Sequence, residues 1–153
     1  MQSPANVTPQ KLTPIKEIDF NFWGVTFARD SNRFYATLGT RGKTYLVEGD
    51  IRARRMRVLH EGVECPSLSP DETRVAFKKK TTEREWRLHV LDLATMKETP
   101  LAETQSVDDQ VEWLDDGQIL YGRDGAVWVV RADGSGEPRV FLPNALSPAV
   151  IAG

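Results

Sequence analysis

Two histidines, one cysteine and a recurring set of aspartates are the residues of this chain best suited to chemistry. His60 and His89 are the type that ligates metals or moves protons near neutral pH. Metal or base roles need partners at fixed spacing, and none stands in the sequence around either histidine. Cys65 would need a neighbouring base to become a nucleophilic thiolate, and it reads instead as a half-buried strand thiol. Ser67, Ser69 and Ser147 lie outside any nucleophile elbow. Asp30, Asp71, Asp92, Asp115, Asp116, Asp124 and Asp133 would suit calcium or an acid–base pair. They lack EF-hand spacing and recur once per turn, where aspartate bonds its own backbone. The expectation is no catalytic residue, no metal, no cofactor and no enzymatic activity.

Binding chemistry has more material. Trp23, Trp86, Trp113 and Trp128 could form a stacking platform, but Trp113 and Trp128 fall at strand positions that favour packing between sheets. Arg52, Arg54, Arg55 and Arg57 crowd one hairpin, and Lys78, Lys79, Lys80, Arg84 and Arg87 crowd another. A phosphate or nucleic-acid patch is one reading of such clusters. Glu83 and Glu85 interrupt the second, and the 20 basic and 22 acidic residues leave a net charge of −2. A solvated outer edge that resists strand addition accounts for both clusters, so no nucleic-acid partner is expected.

The elements that must position these residues are strands. Residues 65–77 read as strand, turn, strand around Ser69-Pro70-Asp71-Glu72, in which proline presets the turn and aspartate closes it. Four strand candidates (22–27, 34–38, 43–48, 56–59) are followed by four more (67–68, 74–78, 87–91, 98–101). A third set covers 111–113, 118–121, 126–130 and 139–142. Helical periodicity is weak throughout. Turn aspartates recur as Asp30, Asp71 and Asp116, at spacings of 41 and 45. A second aspartate, nine residues before a leucine, recurs as Asp50, Asp92 and Asp133. Four strands per ~40–45 residues is the signature of β-propeller blades. The fold class is therefore all-β, a propeller segment of three four-stranded blades at about 22–59, 65–101 and 109–142. Single end strands at 15–20 and 147–151 would belong to neighbouring blades, and residues 1–14 form a disordered tail. Faces left open at the two ends would carry Phe20, Phe22, Trp23 and Phe27 on one side. Val127, Val129, Phe141, Val150 and Ile151 would lie on the other.

Composition agrees with a globular chain: 153 residues, 40% hydrophobic and 27% charged. No apolar run approaches the ~20 residues of a membrane span, and residues 1–14 lack a signal peptide's apolar centre. A single cysteine forbids an intrachain disulfide.

The runs Leu68 to Phe77, Leu91-Asp92-Leu93-Ala94-Thr95 and Arg131-Ala132-Asp133-Gly134-Ser135-Gly136 resemble the repeats of TolB-type, WD-like propellers. Residues 22–28 and 64–70 are similar to those of actinobacterial TolB-like translocation proteins. The resemblance implies a non-catalytic module that binds a protein or peptide partner, and an extracytoplasmic setting. The alternatives are the propeller of a prolyl-oligopeptidase-like hydrolase, or a fragment with no independent role. In such propellers the links between second and third strands share a face with the links between blades. That face would present Arg41, Glu64, Lys79, Lys80, Arg84, Trp86, Asp108, Asp109 and Arg123 as binding residues. Closure of the ring would come from a homodimer or from further blades.

Overall fold

The computed structural model of the chain describes residues 20–108 and 111–151. These residues form twelve β-strands and no α-helix. The first sheet holds β1 (Asn21–Phe27), β2 (Arg33–Thr40), β3 (Lys43–Asp50) and β4 (Arg55–Glu61). The second holds β5 (Glu64–Leu68), β6 (Arg74–Thr82), β7 (Glu85–Asp92) and β8 (Glu98–Pro100). The third holds β9 (Val111–Asp115), β10 (Gln118–Arg123), β11 (Ala126–Arg131) and β12 (Arg139–Leu142). Each is an antiparallel meander in sequence order, so the chain is a partial β-propeller of three blades.

The blades stack through strands buried on both faces. Alternation along β6 sends Val75 and Phe77 toward blade 1, where they meet Tyr35, Leu46 and Val63. It sends Ala76 the other way, into a cluster with Leu88, Val111, Trp113, Ile119 and Tyr121 of blades 2 and 3. Trp113 donates its indole N–H to the Ser67 carbonyl at 2.7 Å, a packing role that ties blade 3 to blade 2.

Turn aspartates do the work expected of them. Asp30 accepts the amides of Asn32 and Arg33, and Asp71 accepts that of Thr73. In blade 3 the matching acceptor is Asp115, which takes the Gly117 amide at 2.7 Å. The first repeat marker therefore runs Asp30, Asp71, Asp115. Asp116 stands one place later, where blade 2 has Glu72, and these two carboxylates reach backward to the preceding blade. Glu72 accepts the Arg29 amide at 2.6 Å and the Arg33 guanidinium at 3.2 Å. Asp116 accepts the Asp71 amide at 3.0 Å, and its carbonyl accepts from Arg74. Each turn thus also serves as an inter-blade clamp.

Three expectations need correction or limits. Residues 79–86, left between the strand candidates 74–78 and 87–91, are mostly strand: β6 and β7 continue to Thr82 and Glu85 as a projecting hairpin, with Lys80 paired to Trp86. Its lysines and threonines hid the strand because an extension beyond the core needs no apolar alternation. Val127 and Val129 are not open to solvent. They pack with Leu120, Leu114 and Ala145, and the Ala145 amide bonds the Gly125 carbonyl at 3.2 Å. Residues 147–151 form no strand, since a strand needs a hydrogen-bonded neighbour and none of the described strands adjoins them. The tail, all of the first end strand except Phe20, and Asp109 lie outside the described residues. At the other end Phe20, Phe22 and Phe27 are exposed, with Val25, Met56 and Val58 beside them.

Candidate functional site

A cleft of about 430 Å³ opens between the β2–β3 hairpin of blade 1 and the β6–β7 hairpin of blade 2. It gathers four of the nine residues named from the sequence: Arg41, Glu64, Lys80 and Trp86. They come from three separate places, the turn after β2, the first residue of β5, and a cross-strand pair on β6 and β7. Meander topology explains the meeting, because the second-to-third-strand turn and the entry into the next blade lie at the same end of the sheet.

Trp23 and Lys43 also line the cleft, and sequence reasoning missed both as site residues. Trp23 sits on β1 just before a register break, a bulge that includes Gly24 at φ +64°. Its indole lies against Gly39: a Cβ there would stand 2.5 Å from the Trp23 Cη2 atom. Gly39 pairs with Asn21, two residues before Trp23 on the neighbouring strand. A tryptophan diagonal to a strand glycine was the available signal, since glycine in a strand marks a close approach. Trp86 is half-buried, with the Lys78 and Lys80 ammonium groups 4.8 and 5.9 Å from its ring centre.

Most cations around the cleft are answered by carboxylates. Lys43 lies 3.2 Å from Glu61, which holds its ammonium above the ordinary lysine range, and Lys80 lies 3.7 Å from Glu83. Arg41 is exposed and makes no hydrogen bond or ion pair among the described residues.

The other named residues go elsewhere. Lys79 points to the opposite side of the ladder from Lys80 and bonds Glu98 at 2.8 Å. There it joins both histidines. His60 Nε2 is 2.9 Å from Glu98 Oε1, and His89 Nδ1 is 2.9 Å from Oε2, although off the hydrogen-bond direction. This group bridges the outer strands of blades 1 and 2. Burial pushes the Glu98 carboxyl up, but hydrogen bonds from Lys79 and His60 outweigh it and leave it below the ordinary value. Burial holds His89 below the ordinary imidazole value against the pull of Glu98. Residues 60, 79, 89 and 98 sit on four strands, so no spacing rule could have joined them.

Arg123 serves the core. Its Nε is 3.1 Å from the buried Glu103 carboxylate and its guanidinium stacks 3.7 Å from the Trp128 ring centre. Tyr121 donates its hydroxyl to Glu103 at 2.5 Å, and burial raises the phenol well above its ordinary range. Asp108 is exposed beside Gly122, whose carbonyl accepts its amide at 2.9 Å. Arg84 sits at the tip of the β6–β7 hairpin, where its amide meets Thr82 Oγ1 at 3.4 Å. None of these three lines the cleft.

No protein-family model and no curated protein sequence matches the chain. Solved structures do. TolB from Acinetobacter baumannii superposes with a TM-score of 0.63 at 17% identity, over 79% of this chain and 32% of that one. The β-propeller domain of the Trilobed protease from Pyrococcus furiosus gives 0.60 at 16% identity, over 79% and 42%. An acylaminoacyl peptidase from Pyrococcus horikoshii gives 0.61 at 16% identity, over 81% and 25%. The chain thus spans less than half the length of each. The likeness establishes the fold, a TolB-like β-propeller of which this chain forms three blades.

Proposed function

We propose that the chain is a non-catalytic binding module whose cleft between blades 1 and 2 holds a segment of a protein or peptide partner. The observation that carries this reading is the convergence of Arg41, Glu64, Lys80 and Trp86 on one cleft, beside a tryptophan seated on a glycine. Clefts of ~300–1,000 Å³ with aromatic lining and a few polar groups are the usual form of a binding site. Two hydrogen-bonded hairpins frame it, which limits the ordering needed when a segment enters.

Peptides selected from a random display library on the immobilised protein test the reading. Tryptophan is the commonest anchor of such contacts, and losing one costs ~30-fold or more in affinity. Selected peptides are expected to bind Trp86→Ala at least ~10-fold more weakly than the unaltered protein. Peptides that ignore both Trp86→Ala and Trp23→Ala would place binding elsewhere and end the proposal.

The likeness to acylaminoacyl peptidase favours a second reading, in which these blades accompany a hydrolase domain. A hydrolase domain encoded in frame with the chain would support it.

A further inference from the structure

The cleft's charge pattern narrows what can occupy it. Three cations line it, Arg41, Lys43 and Lys80, against one carboxylate, Glu64, on a chain whose net charge is −2. Lys43 is already matched by Glu61 and Lys80 by Glu83. Arg41 is not matched among the described residues. A guanidinium offers two parallel N–H donors that fit one carboxylate.

The backbone at Arg41 points the same way. Arg41 and Gly42 both take positive φ, 52° and 77°, as the two central residues of a tight hairpin turn. The matching turn of blade 3 uses Asp124 and Gly125 at 50° and 73°. Asparagine and aspartate suit the first of these positions, and a long side chain is disfavoured there. Blade 1 therefore holds a cation at the turn tip against local preference.

We infer that the occupant is a peptide segment in which one acidic residue adjoins an aromatic or large aliphatic one. Its carboxylate bonds Arg41 and its apolar neighbour lies on Trp23. This rests on the binding reading above and names the chemistry of the ligand. The indole against Gly39 supplies the apolar wall, and the volume accommodates one large side chain with its neighbour. A polyanion fits poorly. Glu61 and Glu83 stand beside Lys43 and Lys80, and Glu64 lines the cleft, so carboxylates repel a run of phosphates, whereas a single carboxylate needs only Arg41.

The test sequences the library-selected peptides and measures a consensus peptide by tryptophan fluorescence. The inference expects an acidic residue next to an aromatic or large aliphatic residue. It expects a ~10-fold or greater loss on changing that acid to its amide, and a similar loss with Arg41→Gln. The two changes together are expected to lose no more than either alone, since they remove one interaction. Cleft-dependent peptides that lack an acid, or that bind Arg41→Gln unchanged, overturn this inference and leave the proposed function standing. Peptides indifferent to Trp23→Ala and Trp86→Ala overturn both. Tighter binding of an oligothymidylate than of the consensus peptide, lost in Arg41→Gln, also overturns the inference. Retained circular dichroism in each variant separates lost contacts from lost fold.

Discussion

Glu103 is the most buried carboxylate among the described residues, 3% exposed, and its partners are the buried Tyr121 and the half-buried Arg123. Glu103→Ala leaves the Tyr121 hydroxyl without its acceptor and the Arg123 guanidinium without its nearer carboxylate in the seam between blades 2 and 3. Breaking such a group by removing one partner costs about 3–5 kcal/mol. A lowered urea midpoint checks it, with Glu103→Gln falling between that variant and the unaltered chain. His89 ties stability to pH. Its folded value lies below the ordinary 6.5, so the unfolded chain takes up the proton first as pH falls. Stability is therefore full above about pH 6.5 and declines as pH drops toward the lowered folded value. Glu98, also lowered, keeps its contribution above the ordinary carboxylate range and loses it only in stronger acid. His89→Gln is expected to flatten the fall of denaturation midpoints as pH drops below about 6.5, and an unchanged slope would contradict this assignment. The Glu98 group was invisible in sequence because packing of two blades, not spacing, assembles it. Glu72 is the contrary case: a residue with a side chain at φ 63°, where glycine is the easiest fit, is repaid by an inter-blade clamp.

Among elements, the twelve strands were legible because short apolar runs alternate with turn residues at blade spacing. Blade order followed from the same repeat. What escaped was the reach of the β6–β7 hairpin, built from the half-buried Lys79 and the exposed Lys80, Thr81 and Thr82, whose polar side chains carry no periodic signal. That reach matters, since it sets Lys80 toward the cleft and Lys79 toward Glu98. The seat of Trp23 is likewise an element property, made by a β1 bulge and a β2 glycine. Gly39→Ala would place a Cβ 2.5 Å from the indole, so Trp23 must move. The expected result is an altered tryptophan emission spectrum with the β-sheet dichroism retained, and a loss of about 1–3 kcal/mol in stability. An unaltered spectrum would show that the ring does not rest there.

For the whole molecule, three blades leave one side of blade 1 apolar and exposed: Phe22, Val25 and Phe27 on β1, with Met56 and Val58 on β4. Water-exposed patches of this kind bind apolar dyes and neighbours alike. Phe27→Lys combined with Val58→Lys is expected to lower binding of a fluorescent apolar dye without changing the sheet spectrum. At the other end Val127 and Val129 lie beneath Leu114 and Ala145, but Val140, Phe141 and Leu142 on β12 and Leu146, Val150 and Ile151 after it are exposed. Four of the cleft's lining residues were readable from topology, but Trp23 and Lys43 were not, because they enter through register and turn geometry.

Peptide binding at the proposed cleft between blades 1 and 2 is reported separately by the four indole N–H groups. Trp113 and Trp128 are committed to the Ser67 and Arg123 carbonyls, whereas Trp23 and Trp86 line the cleft. The decisive measurement is a nitrogen–proton correlation spectrum of the indole signals during titration with a library-selected peptide. The Trp23 and Trp86 signals are expected to move together while those of Trp113 and Trp128 stay in place. Movement confined to Trp113 or Trp128, or saturation with all four signals fixed, would contradict binding at the cleft.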